Sequence, residues 1–384
     1  MIPYGKQDIN QQDIKAVIDV LKSDFLTQGP VVPLFEQAVA GYVKSQYALA
    51  VNSATSALHI ACLALGVNKG DVVWTTPISF VASANCALYC GAEVDFVDID
   101  VNTNNLSPIK LEEKLKEHRN DNKPLPKVVI PVHLAGHSCD MLSIHKLSKE
   151  YGFKIIEDAS HAIGAKYMGQ PVGDCCYSDI TVFSFHPVKI ITTAEGGMVT
   201  TNNVELFNKM KLLRSHGVTR ESDLLTKIAD GPWYYEQLQL GFNYRLTEIQ
   251  AALGKSQMAR LNEFIEKRNN ISSHYLQALN NLPVELPVED SQSSWHLFII
   301  KLKLNDIDIP HAKVFTELRG RGLGVNLHYM PIYRQPYYQA MGFKSSYCEN
   351  AEGYYGRAIS IPIFHGMTAQ DQESVVNTLS KVLS

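Results

Sequence analysis

The chain has 384 residues, 45% hydrophobic and 19% charged, a length that allows about two to three domains and a composition well clear of disordered chains. Its 35 basic and 39 acidic residues leave a formal charge of −4 with no long block of like charges, which argues against nucleic acid as a partner. No apolar run approaches the roughly 20 residues needed to span a bilayer, and the first residues carry neither the basic nor the apolar part of a signal peptide, so a cytoplasmic protein without membrane contact is expected.

Residues 13–21 and 33–42 have helical spacing, with Phe35, Ala38, Val39 and Tyr42 on one face of the second. Thr27-Gln-Gly-Pro30 between them reads as a turn. Seven short runs rich in β-branched residues follow, at 48–51, 71–74, 93–97, 128–132, 153–156, 180–183 and 198–201, alternating with segments of helical period. That alternation predicts βα units around a mostly parallel sheet. Runs such as Val128-Val-Ile-Pro-Val132 are apolar at successive positions, as in a strand covered on both faces. Residues 56–65 are apolar on nearly every side and stop at Gly66, which predicts a buried helix with a glycine terminator. A single long helix is predicted from 247 to about 278, then a strand at 295–302 and helices at 312–321 and 368–383. These divide the chain into a large unit, 1–250, and a smaller α+β unit, 251–384. Seven cysteines, an odd number without C-x-x-C spacing, suit buried thiols and indicate neither a disulfide framework nor a metal site.

Three segments carry chemistry. Asn52-Ser-Ala-Thr-Ser-Ala57 lies between a strand and a helix, where free N–H groups and hydroxyls can receive an anion or simply cap the helix. Ile155-Ile-Glu-Asp-Ala-Ser-His161 runs from an apolar strand into two carboxylates. Ligands of open α/β sheets sit at that end of the strands, although a solvated strand end is the plain alternative. Thr181-Val-Phe-Ser-Phe-His-Pro-Val-Lys189 leaves one lysine among apolar and small residues, before Thr192-Thr193 and Gly196-Gly197. Desolvation lowers a lysine pKa and makes the amine nucleophilic, whereas an ordinary lysine is a surface residue.

In this order and at this spacing the three segments resemble the fold-type I pyridoxal phosphate enzymes, and among them the DegT-type nucleotide-sugar aminotransferases. The likeness runs from Tyr4 to the C-terminal helix and includes Glu195-Gly-Gly197, Arg214-Ser-His-Gly217 and Gly241-Phe-Asn-Tyr-Arg-Leu-Thr-Glu-Ile-Gln-Ala-Ala-Leu253. Within the family it extends to the branch that aminates C4 of a UDP-linked 2-acetamido-2,6-dideoxy-4-hexulose, with L-glutamate as donor, in pseudaminic acid synthesis. Matches to that branch include Thr76-Pro-Ile-Ser-Phe-Val81 and Val325-Asn-Leu-His-Tyr-Met-Pro-Ile-Tyr333; Ala54-Thr55 replaces the usual Gly-Thr.

The resemblance implies an aspartate-aminotransferase-like fold with a large and a small domain, pyridoxal 5'-phosphate as cofactor and its pyridoxamine form in the cycle. Lys189 would hold the cofactor covalently and carry protons. Asp158 would face the pyridine nitrogen, His161 the ring's phenolic oxygen, and Phe80 would stack on the ring. Thr55, Ser56 and Ser184 would contact the phosphate, joined by Asn243 from a second subunit of a homodimer. The sugar nucleotide would lie against Tyr4 and Phe25-Leu26-Thr27, and against Asn326-Leu327-His328-Tyr329, where aromatic faces suit sugar and base rings. Tyr333, Tyr337 and Tyr338 are either part of that surface or packing. Alternatives are the same chemistry on another nucleotide-linked keto-sugar (dTDP-linked, or 3-keto), a dehydratase of the same fold, which Lys189 disfavours because that branch carries histidine there, and a non-catalytic binding module.

Overall fold

The computed structural model describes residues 1–383. All seven predicted strands form one sheet: β1 (Tyr47–Val51), β2 (Val72–Thr75), β3 (Glu93–Phe96), β4 (Val128–Ile130), β5 (Lys154–Asp158), β6 (Ile180–Ser184) and β7 (Gly197–Thr201). Their spatial order is β1-β7-β6-β5-β4-β2-β3. Only β7 is antiparallel to its neighbours, pairing Gly197 with Val51 on one side and with Ser184 on the other. Helices cover both faces, which is why β4, β6 and β7 are buried at every residue and why their sequences do not alternate.

Helix α1 spans Gln11–Leu21, α2 spans Val31–Val43, and α3, Ala54–Ala64, follows β1 directly. α3 ends at Leu65, and Gly66 takes φ +79°, the left-handed position that glycine accepts without strain. α4, Ala82–Tyr89, packs beside α3. A second, three-stranded antiparallel sheet joins β8 (Val284–Glu285), β9 (Phe298–Leu302) and β10 (Ala358–Ile361). Its core includes Phe298, Ile300, Ile359, Val314, Val375 and Leu379, drawn from the strands and from the helices His311–Gly320 and Ala369–Leu383. The N-terminal Ile2–Pro3 pairs in parallel with Leu323–Gly324 on this side of the molecule.

Two predicted elements differ from the structure. The helix expected from 247 to 278 is two helices, α5 (Glu248–Met258) and α6 (Leu261–Ala278). The break falls at Arg260, whose guanidinium reaches Asp8 Oδ1 and Asp13 Oδ2, each at 2.6 Å. Asp13 is fully buried and also accepts from Ser256 Oγ, Gln257 Nε2 and the Asn10 N–H, so contacts some 250 residues away in sequence turn the chain here. α6 then spans both cores: Leu261 and Phe264 pack with Phe35 and Phe185, whereas Ile271 and Tyr275 pack under the small sheet. The strand expected at 295 starts at Phe298, because Trp295 adopts φ +45° and Arg268 Nη1 takes the carbonyls of Trp295 and His296.

The tyrosines near the C-terminus are largely packing. Tyr333 and Tyr338 are buried around Phe96 at the sheet edge, with hydroxyls donating to the Cys348 carbonyl and to Asn85, while Tyr337 is exposed. All seven cysteines are free, and five are buried. Among the described residues no helix is long and apolar enough to cross a membrane, and no cluster of His, Cys, Asp or Glu is placed to hold a metal ion.

Replacing Asp13 with Ala leaves the half-buried Arg260 with Asp8 alone and strips the buried Gln257 amide of its carboxylate acceptor. We expect a loss of about 1–3 kcal/mol in unfolding free energy, read from urea denaturation, and no measurable loss would contradict this account of the α1–α5 junction.

Candidate active site

The three chemical segments of the sequence meet at one cavity of about 650 Å³ at the carboxyl ends of the sheet strands. Its first wall is the start of α3. Ser53 is the N-cap, its hydroxyl accepting from the Ser56 N–H at 3.1 Å, and its carbonyl takes the Ala57 N–H. The amides of Ala54 and Thr55 have no partner among the described residues and point from the positive end of a helix dipole. Gly197 lets β7 press against this turn, since a Cβ there would lie 2.6 Å from the Ala54 nitrogen and the Ser53 carbonyl. Thr55 and Ser184 both line the cavity. Ser56 does not: its hydroxyl donates to Asn52 Oδ1 at 2.7 Å, so it stiffens the turn from behind. Capping and anion reception are thus divided between Ser53 and its neighbours.

The second wall is the end of β5. Asp158 is 4% exposed, and neither it nor Glu157 is a solvated strand end. Asp158 Oδ2 accepts from Ser83 Oγ at 2.6 Å and Oδ1 from the Ser160 N–H at 3.1 Å. Ser79 stands 2.7 Å behind Ser83 and completes the chain of hydroxyls. Glu157 faces the other side of the sheet, as strand alternation requires, and pairs there with the buried His133 at 2.7 Å.

Lys189 reaches the cavity from the loop after β6. Thr192 Oγ1 and the Thr193 N–H both donate to the Phe185 carbonyl, folding this loop back on itself. Burial lowers the amine's pKa from 10.5 to about 8, against the opposing pull of the Asp158 charge. Phe80 is 60% exposed although large and apolar, and it borders the cavity instead of joining the core.

The fourth side comes from the smaller unit. Asn326, Leu327, His328 and Tyr329 line the cavity together with Tyr4, whose ring tilts over His328 at 5.1 Å. His328 is turned toward the protein: its Nε2 takes the Asn326 amide at 3.3 Å and its Nδ1 faces Ser360 Oγ at 2.8 Å. Burial pushes its pKa down to about 3. Tyr329 lies 3.1 Å from His161 Nε2.

Some expected residues lie elsewhere. Phe25, Leu26 and Thr27 are outside this cavity: the Leu26 carbonyl accepts the Glu248 N–H, and Thr27 bridges Thr247. Asn243 is exposed and bridges Ser215, also away from the cavity of its own chain. The structure also adds residues that sequence spacing did not single out. Ser83 gave no signal beyond a small residue in a helix. His296, 4% exposed, has its ring 4.4 Å from that of His161, borders the cavity and leaves Nδ1 without a partner. It stood unremarked at the head of a strand.

The sequence profile of the DegT/DnrJ/EryC1/StrS aminotransferase family matches residues 7–380. The UDP-4-amino-4,6-dideoxy-N-acetyl-beta-L-altrosamine transaminase of Campylobacter jejuni is 39% identical over 386 residues, covering 100% of this chain and 98% of that protein. Among solved structures, Helicobacter pylori PseC, an aminotransferase of pseudoaminic acid biosynthesis, superposes with a TM-score of 0.91 at 33% identity, covering 100% of this chain and 99% of the other. The protein Spr1654 of Streptococcus pneumoniae in its PLP-form gives 0.88 at 27% identity, with each chain fully covered.

In cofactor-free protein, trapping of Lys189 by a small aldehyde and cyanoborohydride should rise through pH 8, where the amine loses its proton. Asp158→Asn should shift that midpoint downward, because the carboxylate favours the ammonium form. A wild-type midpoint near 10.5, the ordinary lysine value, would contradict the desolvation of this amine.

Proposed function

The chain belongs to the DegT/DnrJ/EryC1/StrS aminotransferase family, and from that membership we propose that it moves the amino group of L-glutamate to C4 of a UDP-linked 2-acetamido-2,6-dideoxy-4-keto-hexose. This is the amination in pseudaminic acid formation, and the 39% identity with a transaminase named for that sugar supports it. One arrangement carries the proposal: a lysine of lowered pKa, a buried carboxylate and a helix N-terminus with free amides all border one cavity. That donor set fits pyridoxal phosphate, with an anion receptor, a partner for a ring cation and an amine for the aldehyde.

When bound, this cofactor supplies an aldehyde that condenses with amines and a ring that takes up the electron pair left by an ionised C–H bond. The chain's residues do the rest. Lys189 forms the covalent hold and, once displaced by a substrate amine, moves the α-proton, a task suited to an amine that titrates near neutrality. Asp158, held by Ser83 and the Ser160 amide, offers a fixed anion that keeps the ring nitrogen protonated. The Ala54 and Thr55 amides, with the Thr55 and Ser184 hydroxyls, bind the phosphate. Phe80 covers the ring face. Tyr4, Asn326, Leu327 and Tyr329 border the sugar.

The protein acts as a cytoplasmic homodimer in this account. Asn243 and the Phe25-Leu26-Thr27 segment lie outside the cavity of their own chain, and they serve the cavity of the second subunit. Lys189 also separates this reading from that of a dehydratase, which needs no lysine at this position.

Incubation with L-glutamate and a small panel of UDP- and dTDP-linked keto-sugars, with products followed by mass spectrometry, tests the proposal. A 4-amino UDP-sugar should form together with 2-oxoglutarate, and Lys189→Ala should abolish it. A product aminated only at C3 would refute the sugar assignment. Wild-type turnover by Lys189→Ala would refute the transaminase mechanism itself.

A further inference from the structure

The hydrogen bonds around His161 decide which of its neighbours can donate into the cavity. The main-chain N–H of Ala135 donates to His161 Nδ1 at 3.3 Å. An amide N–H can only donate, so Nδ1 carries no proton. The ring is therefore neutral with its proton on Nε2, because an imidazolium would set one N–H against another. Burial acts in the same direction, aided by the nearby Lys189 amine and His328.

Nε2 lies 3.1 Å from the Tyr329 hydroxyl. The imidazole N–H donates and the phenol oxygen accepts. The phenol's own hydrogen then needs another acceptor, yet no other described residue takes a hydrogen bond from it, and Tyr329 borders the cavity. His161, expected from the family likeness to face the cofactor's phenolic oxygen, has its only N–H committed to Tyr329.

We propose that Tyr329 is a catalytic hydrogen-bond donor to the oxygen of the keto group undergoing amination, and that His161 and the Ala135 amide are positioning groups that aim its proton into the cavity. This rests on the transaminase reading. The keto oxygen is the substrate atom whose basicity rises as it passes from carbonyl toward water, so a preset donor there stabilises developing charge. Burial and the Asp158 charge keep the phenol protonated, so it gives a hydrogen bond without ionising. In the step it assists, the C=O bond is replaced by C=N and the oxygen leaves as water. Both hydrogens of that water come from the incoming amine, so Tyr329 ends as it began, and no oxidant or reductant is involved. Release of 2-oxoglutarate is the same exchange run backward at the same position, so one donor serves both half-reactions.

Two measurements test this. In holoenzyme labelled with ¹⁵N-histidine, the His161 resonance, identified by its loss in His161→Gln, should show a neutral ring protonated at Nε2 from about pH 6 to 8. A ring protonated at Nδ1, or an imidazolium, would overturn the proposal. In D₂O with L-glutamate, Tyr329→Phe should retain exchange of the α-hydrogen within about twofold of wild type while release of 2-oxoglutarate falls about 100-fold. Release at the wild-type rate, or exchange and release falling in step, would also overturn it. A wild-type enzyme that neither exchanges the α-hydrogen nor releases 2-oxoglutarate would fail the transaminase reading instead.

Discussion

A buried carboxylate at the end of a central strand is the constraint around which this molecule is organised. Asp158 lies 4% exposed inside the fold, and an ionised carboxylate so placed requires donors. Ser83 from the helix after β2 and the Ser160 amide from its own turn provide them, and Lys189 faces it as the nearby cation that its charge supports. The parallel sheet makes this possible. Its carboxyl ends gather the turn after β1, the Ser79–Ser83 segment, the end of β5 and the loop after β6 on one rim, as ligand sites of open α/β sheets do.

The same strand end also carries a buried carboxylate–imidazole hydrogen bond facing the opposite way. Glu157 is buried against His133, accepting from its Nε2–H at 2.7 Å, and it further accepts from Ser178 and Thr181. Cys139 closes the group by donating its N–H to His133 Nδ1. β5 is thereby held on both faces by polar contacts that tolerate little displacement, since a buried carboxylate left without its donors is costly. Rigidity at this position suits a site whose function depends on where a charge sits.

Much of the fold was legible because β-branched runs and glycine stops are local signals. The seven strands fall where their apolar runs do, and α3 stops at the glycine that favours a left-handed terminus. What was illegible was set by partners distant in sequence. Arg260 breaks a helix that its neighbours would continue, because Asp8 and Asp13 hold its guanidinium. Trp295 and His296 leave the strand because Arg268 binds their carbonyls. In the cavity, Lys189, Asp158 and Thr55 could be singled out from their segments, and Ser184 and Tyr329 through the family resemblance. Ser83 and His296 could not, because they act through contacts that no spacing records. Tyr333 and Tyr338 show the converse, aromatic residues beside a candidate sugar surface that pack instead around Phe96.

The central claim is that this cavity holds pyridoxal phosphate covalently through one particular amine. Borohydride reduction of the protein loaded with pyridoxal phosphate, followed by peptide mapping in a mass spectrometer, tests it directly. The phosphopyridoxyl group is predicted on the peptide carrying Lys189, and Asp158→Asn is predicted to weaken loading without moving the label. A label on any other lysine of the loaded protein, or none at all, would contradict the account.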